Sequence, residues 1–435
     1  MIKKSDEEIT YVDCKNKIPL DIDEGSFVSI DRSTPLKIYS LGFQPAKSIP
    51  EIPDWFLNKY IARDSIIFEP FAGSGTTLIA SLKHGSSIFW MDNHPLSQLN
   101  CRVKTMSFDT ELLMEQLKLV LKKSKKQETV LITTKFRNRD FWFQKDVQEG
   151  LQILKNNINK INSPAKSVLL IAFANTVRKC SDMDDGMILA SRRAGNREIP
   201  KYSRQDVFCY FESYAKKAIE AVTEWNNVVP NPEMYSKEIA THDARILEGD
   251  WMCDAVITSP PYINAIDYVW ASKFELHWLD LVKSDSKRLE LYSNEIGTER
   301  IPSDIYKEIG ITGHKYLDKL VEDIYYGKKY KATKGQNELR ARVVYKYFMD
   351  MKKHFEVTFP HIRQDGYYCF TIGDASNICG VEIPVATILT DIAEKIGYKK
   401  IFHFNLLLKN RQLNVPRNVS FAGIIEHDTT VILQK

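Results

Sequence analysis

The 435-residue chain has no Cys-x-x-Cys pair, no apolar run long enough to span a bilayer, no internal repeat and no low-complexity segment. Each absence removes a class of protein. The seven cysteines (Cys14, Cys101, Cys180, Cys209, Cys253, Cys369, Cys379) are scattered, and none has a histidine-rich neighbour at metal-ligand spacing. They read as reduced, mostly buried thiols, not as a disulfide framework or a zinc site, and no metal is expected. The opening, MIKKSDEEITYVDCKNK, lacks the apolar core of a signal peptide, so the expected location is the cytoplasm, away from membranes. A formal charge of only +4 excludes an argument for nucleic-acid binding from the total, and local clusters have to carry it. What is present, 43% hydrophobic and 27% charged residues, is the composition of a globular chain with room for one large decorated domain or two to three smaller ones.

Along the chain, residues 1–35 form an amino-terminal arm with little signal. From Pro45 the pattern sharpens: a helix is expected from about Pro53, a buried strand at SIIF, a turn at EPFAGSG, and a helix TTLIASLKH closed by Gly85. SIFWMD reads as a second strand ending in Asp92. Strand, glycine turn, helix, strand and acid make half of a doubly wound nucleotide-binding unit, assigned to 36–106. Residues 107–240 shift to long helical patterns interrupted by the irregular, basic SDMDDGMILASRRAGNREIPKYSR, and read as a helical insertion. The α/β signal resumes over 241–435 with CDAVITSPPY, is interrupted by a helical segment at about 265–345, and ends in a pair of terminal strands.

Phe71-Ala72-Gly73-Ser74-Gly75 is not a phosphate loop, because Thr76 and Thr77 follow where that loop needs a lysine, and it lacks the three-glycine dinucleotide spacing. Two glycines let backbone approach a ligand, Asp92 is placed for ribose hydroxyls, and Glu69 adds an acceptor for a positively charged group. The site suits a nucleoside without a polyphosphate tail, although a glycine turn alone is equally a tight loop. Ser259-Pro260-Pro261-Tyr262 follows a buried strand and so belongs at the carboxyl edge of the sheet. Its two prolines remove N–H donors and keep carbonyl acceptors. A rigid acceptor-rich turn beside an aromatic ring can hold the planar amine of a nucleobase; the plainer reading is two prolines ending a strand.

The pair FEPFAGSGTT and TSPPY resembles the amino-methylating DNA methyltransferases, which move a methyl group from S-adenosylmethionine to an exocyclic amine of cytosine or adenine. QPAKSIP at 44–50 and FTIGD at 370–374 extend the resemblance, which covers about 35–105 and 240–435. It implies an α/β, Rossmann-like S-adenosylmethionine-dependent methyltransferase fold, a sheet flanked by helices with large helical insertions. It implies a cofactor site of Lys47, Glu69, Phe71, Ala72, Gly73, Ser74, Gly75, Thr76 and Asp92, with Asp243 near the adenine and Asp250 as its competitor. The catalytic turn would be Ser259, Pro260, Pro261 and Tyr262. The motif order implies that 107–240 reads duplex DNA, with Arg192, Arg193 and Arg197 as contacts; a solvated basic loop is the plainer reading. Lys328, Lys329, Lys331, Arg340 and Arg342 are rivals for that role.

Serine at the head of the turn is more typical of enzymes acting on cytosine N4 than on adenine N6, and a neutral hydroxyl is a weaker acceptor than a carboxylate. Attack on cytosine C5 is disfavoured because no Pro-Cys dipeptide occurs. The expected reaction is direct transfer to a base flipped onto Tyr262, its amine held by Ser259 and the Pro260 carbonyl. A restriction endonuclease acting on the same site is the implied companion. Adenine-N6 methylation is the main alternative; an RNA or protein-amide methyltransferase and a silent DNA-binding subunit are further ones.

Overall fold

Nine strands line up in one sheet because most are short apolar runs that bury both faces, the pattern of a sheet covered by helices on each side. The computed structural model describes residues 10–31, 35–45, 47–193, 198–263, 266–302, 304, 308–333, 335–408 and 427–435. In chain order the strands are β1 (Tyr11–Lys15), β2 (Phe27–Asp31), β3 (Ile66–Glu69), β4 (Ser87–Trp90), β5 (Ser236–Glu238), β6 (Cys253–Thr258), β7 (Ile362–Gly373), β8 (Ala375–Ile378), β9 (Val381–Ile383), β10 (Lys399–Leu407) and β11 (His427–Gln434). The sheet order is β1-β2-β10-β11-β7-β6-β3-β4-β5, with β8 and β9 in a separate ribbon. Within the sheet, only β11 runs against its neighbours, β7 and β10. The fold is therefore α/β and Rossmann-like, a mostly parallel sheet flanked by helices.

Strand alternation divides the core into two layers. On β3, Ile67 joins one cluster and Phe68 the other; on β6, Ala255 and Ile257 face the first and Val256 the second. The first layer holds helices Thr76–His84, Thr110–Lys126, Lys145–Ile158, Ala165–Lys179 and Arg204–Val228. The second holds Lys315–Tyr325, Gln336–Thr358 and Val385–Ile396. The longest helix of the first layer starts with a reciprocal cap, Ser203 and Asp206 each accepting the other's backbone N–H.

The segment 107–240 is tied into the α/β part. Trp225 Nε1 donates to Lys104 O at 3.0 Å, and the Arg178 guanidinium donates to Ala271 O at 3.0 Å while lying 3.8 Å above the Phe43 ring. Its last residues form β5, which pairs in parallel with β4 at the sheet edge.

From β3 the chain winds outward through β4 to β5, then crosses back to β6 on the other side of β3. That reversal is a topological switch point, and the crevice above it, at the carboxyl ends of β3 and β6, is where such sheets bind ligands.

Candidate active site

The glycine turn leaves β3 at this switch point and feeds the helix Thr76–His84. Gly73 (φ +49°) and Gly75 (φ +77°) both lie in the left-handed region, and a Cβ on Gly75 would sit 3.2 Å from Lys104 Cδ and 3.5 Å from Cys101 Sγ. The turn is braced from the next strand. Ala72 N–H donates to Met91 O at 3.0 Å, and Gly73 N–H donates to Asp92 Oδ2 at 2.7 Å. Asp92 Oδ1 accepts the His94 N–H at 2.8 Å. Each carboxylate oxygen so accepts one main-chain donor, and with the Ser97 hydroxyl as a further neighbour the group still has acceptor capacity for an external hydroxyl. Burial pushes the Asp92 carboxyl up to about 6.

Glu69 joins this turn to the second motif. Its side chain is 2% exposed, and Oε1 accepts both the Phe71 N–H, at 2.9 Å, and the Thr258 hydroxyl. Thr258 is the last residue of β6, immediately before Ser259, so one carboxylate ties the base of the glycine turn to the base of Ser259-Pro260-Pro261-Tyr262. Burial pushes Glu69 up to about 7, against the pull of its Thr258, Thr77 and Phe71 hydrogen bonds. Pro260 is buried, and Ser259, Pro261 and Tyr262 are half-buried at the same sheet edge.

Beneath the turn lies a buried lysine. Lys104 Nζ donates to Ser74 O at 2.6 Å, and burial together with the Lys47 charge lowers it to about 7. Lys47 itself is pinned by donating to Gly42 O at 3.2 Å and Tyr39 O at 3.5 Å. Ser74 and Thr76 hydroxyls are 2.9 Å apart. His94 is a fixed buried imidazole that burial lowers to about 4. Leu96 N–H donates to its Nδ1 at 3.3 Å, and its Nε2 lies 2.8 Å from Ser272 Oγ.

The two acids proposed for the adenine end up at opposite edges. Asp243 follows β5 at the carboxyl edge, whereas Asp250 is exposed and precedes β6 at the amino edge. Asp243 is held by Arg245 through Nε at 2.9 Å and Nη2 at 2.8 Å. Burial raises its carboxyl, but these hydrogen bonds outweigh burial and hold it below the usual carboxylate range. Next to it, Ala244 O accepts from His354 Nδ1 at 2.8 Å, and the His354 ring lies edge-on 5.0 Å from Phe71. The stretch 243–244 is thereby placed beside the glycine turn.

A loop without a recognisable motif completes the crevice. Asn93, beside Asp92, donates to Asn294 O at 2.9 Å, and a Cβ on Gly297 (φ +83°) would lie 3.3 Å from Tyr262 O. Residues 294–298 thus touch Tyr262 of one turn and Asn93, the neighbour of Asp92. Within them, burial and the Asp267 charge push Glu295 up to about 8, with Asp92 adding to the shift. Only the glycine marks this loop in the sequence.

The arginines expected to read DNA are paired within the protein. Arg192 Nη2 is 3.1 Å from Asp182 Oδ2, with its guanidinium 4.2 Å above Phe141, and Arg193 Nη2 is 3.0 Å from Asp185 Oδ2. Arg197 lies outside the described residues. Of the rival set, Lys328 pairs with Asp323 at 2.7 Å and Arg340 with Glu299 at 2.8 Å, Arg342 lies over Tyr345, and Lys329 and Lys331 are exposed. Among the described residues no His/Cys/Asp/Glu group is arranged to hold a metal, and no helix is long and apolar enough to cross a membrane.

The sequence has relatives among known proteins. The chain is 23% identical over 414 residues to the type II methyltransferase M.MvaI of Kocuria varians, covering 86% of this chain and 85% of that protein. It is 22% identical over 413 residues to the type II methyltransferase M.BsoBI of Geobacillus stearothermophilus, covering 83% and 78%. It is 24% identical over 359 residues to the type II methyltransferase M.AvaI of a Nostoc species, covering 76% and 73%. No protein-family model matches the chain. The similarity runs through both sheet halves and the segment between them, and the fold is that of a Rossmann-like methyltransferase.

Proposed function

We propose that this protein is a site-specific DNA methyltransferase of a restriction-modification system, using S-adenosylmethionine and acting on the N4 amine of cytosine. The observation that carries the reading is Glu69. One buried carboxylate binds Phe71 N–H of the glycine turn and the Thr258 hydroxyl at the foot of Ser259-Pro260-Pro261-Tyr262, which fixes the two turns relative to each other. The type II methyltransferases similar over most of the chain support the DNA-methyltransferase part of this reading, and Ser259 favours the N4 amine of cytosine.

The residues present fit the cofactor. Gly73 and Gly75 supply the positive φ that the tight turn needs, Asp92 retains acceptor capacity for ribose hydroxyls, and the buried acids Glu69 and Glu295 suit a cationic ligand. When bound, S-adenosylmethionine supplies an electrophilic methyl group on a sulfonium. The chain's own part is orientation: Ser259 Oγ and the Pro260 carbonyl accept the amine N–H bonds, Pro261 stiffens the turn, and Tyr262 stacks on the flipped base. Acceptors around the nitrogen favour the pyramidal geometry it adopts as a bond forms.

The test is methylation of plasmid DNA by the purified protein, read by nucleoside mass spectrometry and single-molecule sequencing. N4-methylcytosine in one short motif is expected. N6-methyladenine would keep the site and overturn the argument from Ser259, and absence of any mark despite cofactor binding would overturn the DNA reading.

A further inference from the structure

We infer that a cavity at the seam between the 107–240 segment and the helices following the catalytic turn binds a nucleotide, its phosphate on Lys273 and Arg288 and its base against the aromatic wall. The inference rests on the DNA reading above for the biological source of that nucleotide, and on the cavity alone for its chemistry.

The cavity measures about 220 Å³. That is below the ~300–1,000 Å³ of sites for drug-sized ligands, but the cavity is partly open, so a nucleotide seats its phosphate inside and lays its base along the open side. Phe136 and Trp142 wall it from the inserted segment, and Trp270 from the helix Tyr268–Ala271. Lys273, 6% exposed, carries its ammonium 3.7 Å from the Trp270 ring centre and 4.0 Å from that of Trp142. Among the described residues no carboxylate forms an ion pair with it. Burial and the Arg288 charge lower Lys273 to about 7, the mark of a cation short of negative charge.

Arg288 is the stronger sign. It is 8% exposed, its Nε and Nη1 are buried without a hydrogen-bond partner, and its Nη2 is 3.7 Å from the single lining carboxylate, Asp285. Asp285 is shared: its Oδ2 accepts the Arg137 N–H at 2.7 Å, and its Oδ1 lies 3.4 Å from Nε2 of His277, which stacks on Phe136 at 4.9 Å. Buried donors left unmade are costly, and the Nε and Nη1 groups, on different sides of the guanidinium, can each take an acceptor oxygen. Aromatic walls beside such an anion site are what single nucleotides use for stacking.

The position favours a strand over a free nucleotide. The helix bearing Lys273 begins at the Ser272 cap that contacts His94, next to Asp92, so the cavity is mechanically joined to the candidate active site. The exposed Arg137 and Asn138 stand at its rim, where a continuing backbone would pass.

Tryptophan fluorescence of the intact protein would be titrated with duplex DNA, a short single-stranded oligonucleotide, deoxycytidine monophosphate and inorganic phosphate. Quenching by the nucleic acids is expected, weakened at least tenfold in Arg288→Gln, with the logarithmic salt slope reduced by about one. Neutralising Lys287, an exposed neighbour paired with Glu290, should alter affinity less than threefold. Duplex binding more than tenfold tighter than the mononucleotide supports the strand as source; equal affinities support a free nucleotide in the same cavity. Should Arg288→Gln unfold, Arg288→Lys keeps the charge and loses only the fork, and wild-type fluorescence insensitive to every nucleotide would overturn the inference. Parallel methylation assays separate the two claims. Methylation with the DNA KM unchanged in Arg288→Gln overturns the cavity and leaves the enzyme; Arg288-dependent binding without methylation does the reverse.

Discussion

Replacing Glu69 by glutamine tests the junction between the two turns through stability, independently of any substrate. Burial raises the Glu69 carboxyl to about 7 from an ordinary 4.5. The sign follows from linkage: an acid whose pKa is raised on folding binds its proton more tightly in the native state. Its stabilising contribution is complete below about 4.5 and is lost as pH rises through about 7. Two and a half pKa units correspond to about 3 kcal/mol, of which about 2 kcal/mol falls between pH 5.5 and pH 8. Glutamine keeps an acceptor for the Phe71 N–H and the Thr258 hydroxyl and does not titrate.

The comparison has to be between wild type and variant, because Lys104 titrates in the opposite sense nearby. Its pKa is lowered to about 7, so its stabilising contribution is complete above the ordinary lysine value and is lost as pH falls through 7. Subtracting Glu69→Gln from wild type removes that slope. Urea unfolding at pH 5.5 and pH 8 should show the variant gaining about 2 kcal/mol on wild type as pH rises. Parallel stability curves would mean that Glu69 is solvated and ionised throughout, and the junction argument would fail.

Other substitutions probe single contacts. Gly75→Ala forces a side chain into the left-handed region beside Lys104; it should cost about 1–2 kcal/mol of stability and lower S-adenosylmethionine affinity in calorimetry, and unchanged values would refute the tight cradle. Tyr262→Ala should lower kcat/KM roughly 5- to 150-fold, from ~1–3 kcal/mol of stacking, while Tyr262→Phe stays near wild type; equal losses would point to the hydroxyl instead. Arg245→Ala leaves Asp243 buried without its cation and should destabilise by about 3–5 kcal/mol in denaturant unfolding, whereas a loss below about 1 kcal/mol would show Asp243 to be hydrated.

The parts legible in the sequence are those where local chemistry decides structure. The run SIIFEPFAGSGTT contains its own strand, its positive-φ glycines and its helix start, so β3, the turn and the helix Thr76–His84 could be read directly. Trp90 and Asp92 mark the end of β4 for the same reason. Position in the sheet is another matter. β5 is three residues long and pairs with a strand ending nearly 150 positions earlier, so nothing local separates it from the helical segment it closes. β1 and β2 join the opposite edge through parallel pairing of β2 with β10, a contact that spans almost the whole chain. The loop 294–298 escaped notice because its role is contact between distant turns, which only Gly297 hints at.

The arginines of the irregular segment show why charge read from sequence is an incomplete guide to nucleic-acid contacts. Arg192 and Arg193 look available in SDMDDGMILASRRAG, yet the same stretch supplies Asp182 and Asp185, and folding brings them together. An arginine already paired must break that pair, or share it, before a phosphate gains from it. Lys273 and Arg288 are the converse case: unremarkable in sequence, both buried, and Arg288 with donors unmet. Their cavity takes Phe136 and Trp142 from the 107–240 segment, and Trp270 with both cations from the helices after Ser259-Pro260-Pro261-Tyr262. If that cavity holds a nucleotide, the insertion contributes to binding at its seam with the methyltransferase fold, and DNA engagement there would press on the same helices that Ser272 couples to His94 and the Asp92 turn.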